Sequence, residues 1–522
     1  MAKSSTDHLF QLIKSLTPAE KRYFKVFVSK GKDQSDAKFI KLFNLIEKFE
    51  VYNETKILES EKSFKSSQIS NLKAHLYKQI LQSLNNYNPD DDVEIKIRDL
   101  LNYTNLLYNK SLFEQCWKML EKARQMAESN DKILLLFEVV EFEKKLLTKS
   151  IRTDISESIL KLISESEKLL KSIKNTRTFQ NLSVKLYTFY LQIGFIRNSE
   201  DFDRASRFLY SSLPAFDEDK LSFNERMFLY HSFTGYYFFI QDSERGYEYA
   251  KKWLQLFEDQ SEMIIPKIEF YIKAFNNLLV AQFKLFKYKE FDEYSKRFEA
   301  IAKMPGLNLN FNLQRQIFKY SSIHKINKYF ILGRFTEGTK IIPDISKGLK
   351  KYENKLDTHS LTIFYYKFAC MYFGDEDYQQ AIYWLNKIIN AKDVNIRSDI
   401  HGFARILNLI SHWELENMDI VDYYIRSTYR YLIKKADFHL FQKYILKFLR
   451  KLSNISPDAL QQAFIDLKKD LKPLKNNAYE KRAFVYFDII SWLESKIENR
   501  SNQLIIREKA MKKIEYHENG VK

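Results

Sequence analysis

Eight short segments of this chain obey one rule: an apolar or aromatic residue follows a polar turn, mostly with a small residue three positions later and an apolar one seven later. They are Phe113/Cys116/Leu120, Ile155/Ser158/Leu162, Phe202/Ala205/Leu209, Tyr247/Ala250/Leu254, Phe291/Tyr294/Phe298, Phe335/Gly338/Ile342, Tyr378/Ala381/Leu385 and Ile420/Tyr423/Ser427. Their first members stand at 113, 155, 202, 247, 291, 335, 378 and 420, so neighbouring copies are 42 to 47 residues apart. That period constrains the fold more than any single motif, because it marks stacked units none of which can bury its apolar face alone. About 44 residues hold two helices of roughly 18 to 20 residues and two short connections, at ~1.5 Å rise per residue. The small residue lets the second helix of a unit approach the first, and the apolar one lies further along the same face. Acidic residues cluster just after the turns, at Glu114, Asp203, Glu248, Asp292, Glu337 and Asp422, where a helix N-terminus favours negative charge.

Composition points the same way. Only 11 Gly and 8 Pro punctuate 522 residues, too few for the tight turns of a β-rich architecture. Length alone suggests three or four compact domains, a count that a continuous repeat array escapes. The expected class is all-α: an α-α superhelix, or solenoid, with a repeat of about 44 residues and a separate N-terminal helical module.

The unit YYKFACMYFGDEDYQQAIYWLNKII resembles the tetratricopeptide repeat family. Tyr365, Phe368, Ala369, Tyr372, Tyr378, Ala381 and Leu385 stand where that family places Trp, Leu, Gly, Tyr, Tyr, Ala and Phe. The resemblance extends over about residues 90 to 435, with a repeat some ten residues longer than the usual 34. It implies a long-helix, degenerate variant that binds proteins or peptides.

Three regions are expected. Residues 1–88 read as a helical module, with Thr17-Pro18-Ala19-Glu20 as a capping box and proline in the first helical position. Residues 89–436 are the array, opened by Asn88-Pro89-Asp90-Asp91-Asp92 as a cap and acidic first turn. Residues 437–522 are C-terminal helices that continue or cap it, with Ser456-Pro457-Asp458 opening one, Pro473 ending it, a final helix over about 479 to 514, and a frayed HENGVK end.

Candidate chemistry is sparse. Gly333, Gly338 and Lys340 imitate a phosphate-binding loop, but that loop needs the lysine directly after the second glycine and a strand before the first, and here the lysine is displaced and the flank is helical. A repeat turn accounts for the segment better. No HExxH or HxxxH pair occurs, and His401 and His412, on one helical face, would be about 16 Å apart, too far to share a metal ion. Cys116 and Cys370, the only thiols, suit a reducing compartment and packing roles. No catalytic, cofactor or metal residue is assigned, and a non-enzyme is expected.

The N-terminus lacks the apolar core of a secretory signal, and the run ILLLFEVV is broken by Glu138, so neither secretion nor a membrane span is expected. The cytoplasm is the expected location. The formal charge of +17 admits an acidic partner. Its clearest concentration is a pair of stripes spaced by four: Arg426, Arg430 and Lys434, then Lys443, Lys447 and Lys451, with Asp437 as the cap between two helices. They are either ordinary solvated surface or a docking patch for nucleic acid or an acidic protein. In the N-terminal module, helices over about 54–63 and 66–86 have helix-turn-helix spacing, the second displaying Lys73, His75 and Lys78. Two functions stand: a scaffold binding a protein or peptide through a helical-repeat surface, or a transcriptional or signalling regulator with an N-terminal DNA-binding module and a helical-repeat sensor.

Overall fold

In the computed structural model, residues 8–29, 34–61, 63–87, 92–149, 155–193, 195–196, 198–307, 309–352, 355–391, 398–434, 439–452, 455–477, 479–481 and 483–519 are described, and every regular element among them is helical. Backbone contacts divide the chain into two units, Met1–Glu167 and Lys168–Lys522.

The first unit opens with α1 (His8–Ser15), α2 (Pro18–Ser29), α3 (Gln34–Lys48), α4 (Glu54–Ser60) and α5 (Ser66–Tyr87). They share a core that includes Ile13, Phe24, Leu42, Phe43, Ile46, Leu76 and Ile80. The capping box forms as expected: the Thr17 N–H donates to the Glu20 carboxylate at 2.6 Å and the Glu20 N–H to the Thr17 hydroxyl at 3.3 Å. A second cluster, with Ile97, Cys116, Leu120, Ala123, Val139 and Leu146, is built by α6 (Val93–Asn109), α7 (Phe113–Ser129) and α8 (Ile133–Leu147). Residues 88–91 lie outside the described residues, and the cap of α6 is Asp92, which accepts from the N–H groups of Glu94 and Ile95.

One helix, α9 (Ile155–Ile193), replaces the hairpin expected around Ile155. Its 39 residues contain neither Gly nor Pro, so nothing breaks the helix, and Ser158 is exposed rather than wedged against a partner. The second unit continues with α10 (Ser199–Ser212), α11 (Phe223–Phe239), α12 (Ser243–Asp259), α13 (Ile268–Lys284), α14 (Tyr288–Ala300) and α15 (Phe311–Leu332). It proceeds through α16 (Phe335–Thr339), α17 (Ile342–Tyr352), α18 (Thr358–Gly374), α19 (Tyr378–Ile389), α20 (Ser398–Glu414) and α21 (Met418–Lys434). It closes with α22 (Leu440–Leu452), α23 (Pro457–Leu471), α24 (Ala483–Tyr486), α25 (Ile489–Glu498) and α26 (Asn502–Asn519). The break between α16 and α17 falls where Pro343 has no N–H to offer the Thr339 carbonyl.

The hairpins share one turn. A left-handed residue closes the first helix in each: Ser111, Gln241, Phe286, Gly333, Glu376 and Glu416, with φ between 56° and 63°. In α18, for example, the Asp377 N–H reaches back to the Tyr372 carbonyl at 3.0 Å and the Glu376 N–H to that of Phe373 at 3.1 Å. Five positions after the left-handed residue the chain is always buried, at Cys116, Gly246, Phe291, Gly338, Ala381 and Val421. This turn-anchored register corrects the sequence-based one in three copies. Tyr247 is half-buried one helical turn too late, with Gly246 under the Phe238 ring; Phe291 takes the place expected for Tyr294; and Ile420 and Tyr423 are exposed while Val421 and Ile425 are buried. Phe202, expected at a buried turn, is 37% exposed, although Ala205 and Leu209 beneath it are fully buried.

First helices of successive hairpins touch one another, α13 against α15, α15 against α18, α18 against α20 and α20 against α22. The C-terminal segment then returns to the turns. Lys481 donates to the Gln241 carbonyl at 3.1 Å, the Asn502 N–H to Glu376 at 2.8 Å, and the Thr336 N–H to Gln503 at 2.8 Å, while the Lys513 ammonium sits over the Phe286 ring at 3.8 Å. The single helix expected over 479–514 is instead three, because Asp488 caps α25 by accepting from the Ser491 N–H and Asn499 ends it in the left-handed conformation. Pro457 opens α23 and the helix ends at Leu471, two residues before Pro473. The Gly520–Lys522 end of HENGVK lies outside the described residues.

Candidate ligand-binding surface

Both basic stripes face solvent. On α21 the buried side is Val421, Ile425, Thr428 and Leu432, and Arg426, Arg430 and Lys434 occupy the exposed side. On α22 Phe441, Ile445, Leu446, Phe448 and Leu449 are buried and Lys443, Lys447 and Lys451 are exposed. The two helices pack together. Among the described residues no carboxylate forms a salt bridge with Arg426, Arg430, Lys434, Lys447 or Lys451. Asp437, expected as the cap between them, lies outside the described residues, and the first amides of α22 have another acceptor: Glu480 takes the N–H of Leu440 at 3.0 Å and of Phe441 at 3.2 Å. Of the interleaved aromatics, Tyr429 is exposed, Tyr431 and Tyr444 half-buried and Phe441 fully buried, and Phe438 lies outside the described residues.

A second set of cations escapes sequence patterning because each lies mid-helix, where lysine is ordinarily a solvated residue. Lys273 on α13, Lys319 on α15 and Lys367 on α18 are all half-buried, one from each of three neighbouring first helices, and Arg405 follows on α20. Their surroundings are aromatic. Lys273 lies 4.9 Å over the Phe270 ring, Lys319 4.7 Å over Tyr320, Lys367 between Phe283 and Phe330 at 5.4 and 5.5 Å, and the Arg405 guanidinium 4.5 Å over Tyr431.

Hydrogen bonds around Lys319 and Lys367 cross between α13, α15 and α18. Lys367 donates to Asn327 Oδ1 at 2.6 Å, Asn327 contacts His324 Nδ1 at 3.5 Å, and His324 Nε2 contacts Asn276 Oδ1 at 3.0 Å. Lys319 reaches Ser360 Oγ at 3.5 Å. A neutral His324 with its proton on Nε2 satisfies this chain, and burial, assisted by Lys367, pushes its pKa down to about 3. Burial likewise holds Lys367 at about 8 and both Lys273 and Lys319 below the usual lysine range. The nearest acids offer little. Glu269 is exposed one turn before Lys273, and Asp357, near Lys319, is already engaged by the Ser360 N–H and hydroxyl at 2.7 Å each.

The remaining motifs resolve into structure. Gly333 and Gly338 stand in the turn and second helix of one hairpin, preceded by α15 rather than a strand, and Lys340 is exposed. His401 and His412 are buried in α20, the Cys116 thiol lies 3.6 Å from the Thr104 carbonyl, and burial pushes the Cys370 thiol up to about 12. Among the described residues no three metal-binding side chains converge, and no helix is long and apolar enough to cross a membrane. On α5, Lys73 is ion-paired with Glu54 at 3.0 Å and lies over the Tyr52 ring, and His75 stacks on Phe39 at 4.9 Å, so only Lys78 of the three expected contacts projects without such a partner.

Comparison with known proteins finds no matching family model and no matching curated protein.

Proposed function

We propose that this chain is a non-enzymatic interaction scaffold: a tetratricopeptide-like helical array that binds a protein or peptide along the first helices of its hairpins, in the cytoplasm. One observation carries this reading. Consecutive hairpins with the same left-handed turn bring α13, α15, α18 and α20 into contact in order, each carries a half-buried cation, and hydrogen bonds from Lys319 and Lys367 cross between α15 and α18. A surface built one unit at a time suits an extended ligand, and two cysteines that form no disulfide suit a reducing compartment.

Cross-linking of the full chain in native lysate, with and without nuclease, tests it. The scaffold predicts nuclease-resistant protein cross-links on α13 to α20. Cross-links concentrated on α5 that vanish with nuclease indicate the alternative, a regulator whose N-terminal module binds DNA.

A further inference from the structure

Three ammonium groups on adjacent helices, each half-buried and each without a carboxylate in salt-bridge range among the described residues, are an unusual thing for a fold to retain. Removing a charge from water is unfavourable unless an opposite charge or a full set of acceptors replaces the hydration, and buried charges are therefore normally paired. Here the acceptors are one amide oxygen for Lys367, one distant hydroxyl for Lys319 and a ring face for Lys273. Burial depresses both Lys273 and Lys319, Glu269 and Asp357 offset part of this from a distance, and the like charges of Lys319 beside Lys273 and of Arg315 beside Lys319 add to the depression.

We propose that Lys273, Lys319 and Lys367 form a recess for an extended acidic peptide segment, whose carboxylates supply the counter-charges absent from the fold. The proposal rests on the reading of α13 to α20 as a protein-binding surface and names the chemistry of what binds there.

Spacing supports a peptide. Packed helices lie about 8 to 10 Å apart, which is the advance of roughly three residues of extended chain at ~3.3 Å each. An acid at every third position would therefore meet one lysine per hairpin. Charge-assisted hydrogen bonds to half-buried ammonium groups are stronger than those at an open surface. Asn276, half-buried beside the row, adds an amide group suited to carboxylate oxygens and peptide bonds. A nucleic-acid strand fits this row less well, because one face of each ring beside the lysines is taken up by an ammonium group rather than left for base stacking.

The test uses the full chain and a labelled peptide repeating Glu-Ser-Gly, with a Gln-Ser-Gly peptide and oligothymidylate for comparison. Acetylation of the parent protein is mapped with and without each probe. The acidic peptide should protect Lys273, Lys319 and Lys367 while Lys340 stays reactive, and the Gln-Ser-Gly peptide should protect none. Lys319→Met and Lys367→Met together should weaken the acidic peptide at least about tenfold without lowering the melting temperature, and Arg426→Glu with Arg430→Glu should change it less than about twofold. Absence of protection in the parent protein overturns the proposal, as does stronger protection by oligothymidylate or unchanged affinity in the double variant. Protein cross-links on α13 to α20 without protection by the acidic peptide would sink the acidic ligand alone; absence of both would sink the scaffold reading with it.

Discussion

Gly333 and Arg507 are held backbone to backbone: a Cβ built on Gly333 would come within 2.7 Å of both the amide nitrogen and the Cα of Arg507. The contact joins the turn after α15 to α26, and it explains why this turn alone among the six carries glycine. Ser111, Gln241, Phe286, Glu376 and Glu416 adopt the same left-handed conformation with side chains in place.

Gly333→Ala combines left-handed strain of about 1 kcal/mol with displacement of α26, so it should destabilise by about 2 to 4 kcal/mol. Gly306→Ala is the control, since Gly306 has φ of 76° and open space around it, and should show only the conformational part. Urea unfolding of both variants measures the difference. Equal losses would show that the Arg507 contact yields easily.

Gly338→Leu and Lys340→Ala separate the two halves of the apparent phosphate loop. A Cβ at Gly338 would meet the Met371 sulfur at 2.4 Å and Tyr329 Cβ at 3.0 Å, so leucine should cost about 3 kcal/mol or more. Alanine at exposed Lys340 should stay within about 0.5 kcal/mol. Calorimetry of a nucleoside triphosphate titrated into the parent chain completes the test, and saturable binding lost in Lys340→Ala would reverse the assignment.

Glu480 should be the most pH-sensitive carboxylate joining α22 to the segment after α23. Burial acts to raise its pKa, but hydrogen bonds from His439 and from the Leu440 and Phe441 amides outweigh burial and hold it below the usual glutamate value. A depressed folded pKa means that its stabilisation is complete above the unfolded value and disappears as pH falls through the folded one. Glu480→Ala should cost about 2 to 3 kcal/mol at neutral pH, and the gap to the parent should narrow in acid. Melting curves of both proteins from neutral pH downward give the answer; a constant gap would contradict the cap.

Lys367 predicts a slope of the same sign in a different pH window. Its folded value of about 8 lies below that of an unfolded lysine, so above pH 8 the unfolded chain holds a proton that the folded one has shed, and stability rises with pH up to the unfolded value near 10.4. In the folded chain neither Cys370, pushed up to about 12, nor His324, held down to about 3, changes charge within that window, and the ionisation of Cys370 in the unfolded chain is common to the parent and Lys367→Met. The parent should gain about 1 to 2 kcal/mol relative to Lys367→Met between pH 8 and pH 10. Parallel unfolding free energies across that range would mean that Lys367 has a counter-ion.

Helical class and much of the periodic architecture are local properties, and the sequence carries them openly. Scarce Gly and Pro, apolar residues at three- and four-residue spacing, the Thr17/Glu20 box and Pro457 all act within one or two helical turns, so they can be read without knowing what lies across the core. The register of the hairpins was less legible. Ser111, Gln241, Phe286, Glu376 and Glu416 share a backbone conformation but no side-chain type, so recurring side chains put Tyr247, Phe291 and Ile420 two to four residues out of step. The exposed stripe positions on α21 and α22 followed from helical spacing alone. What only tertiary structure decided are relationships between residues far apart in the chain: Arg507 against Gly333, Glu480 capping α22, and Lys367 joined through Asn327 and His324 to Asn276. A lysine in an amphipathic helix looks the same in sequence whether it faces water or a neighbouring ring, because the desolvation that distinguishes the two is imposed by neighbouring helices distant in the chain.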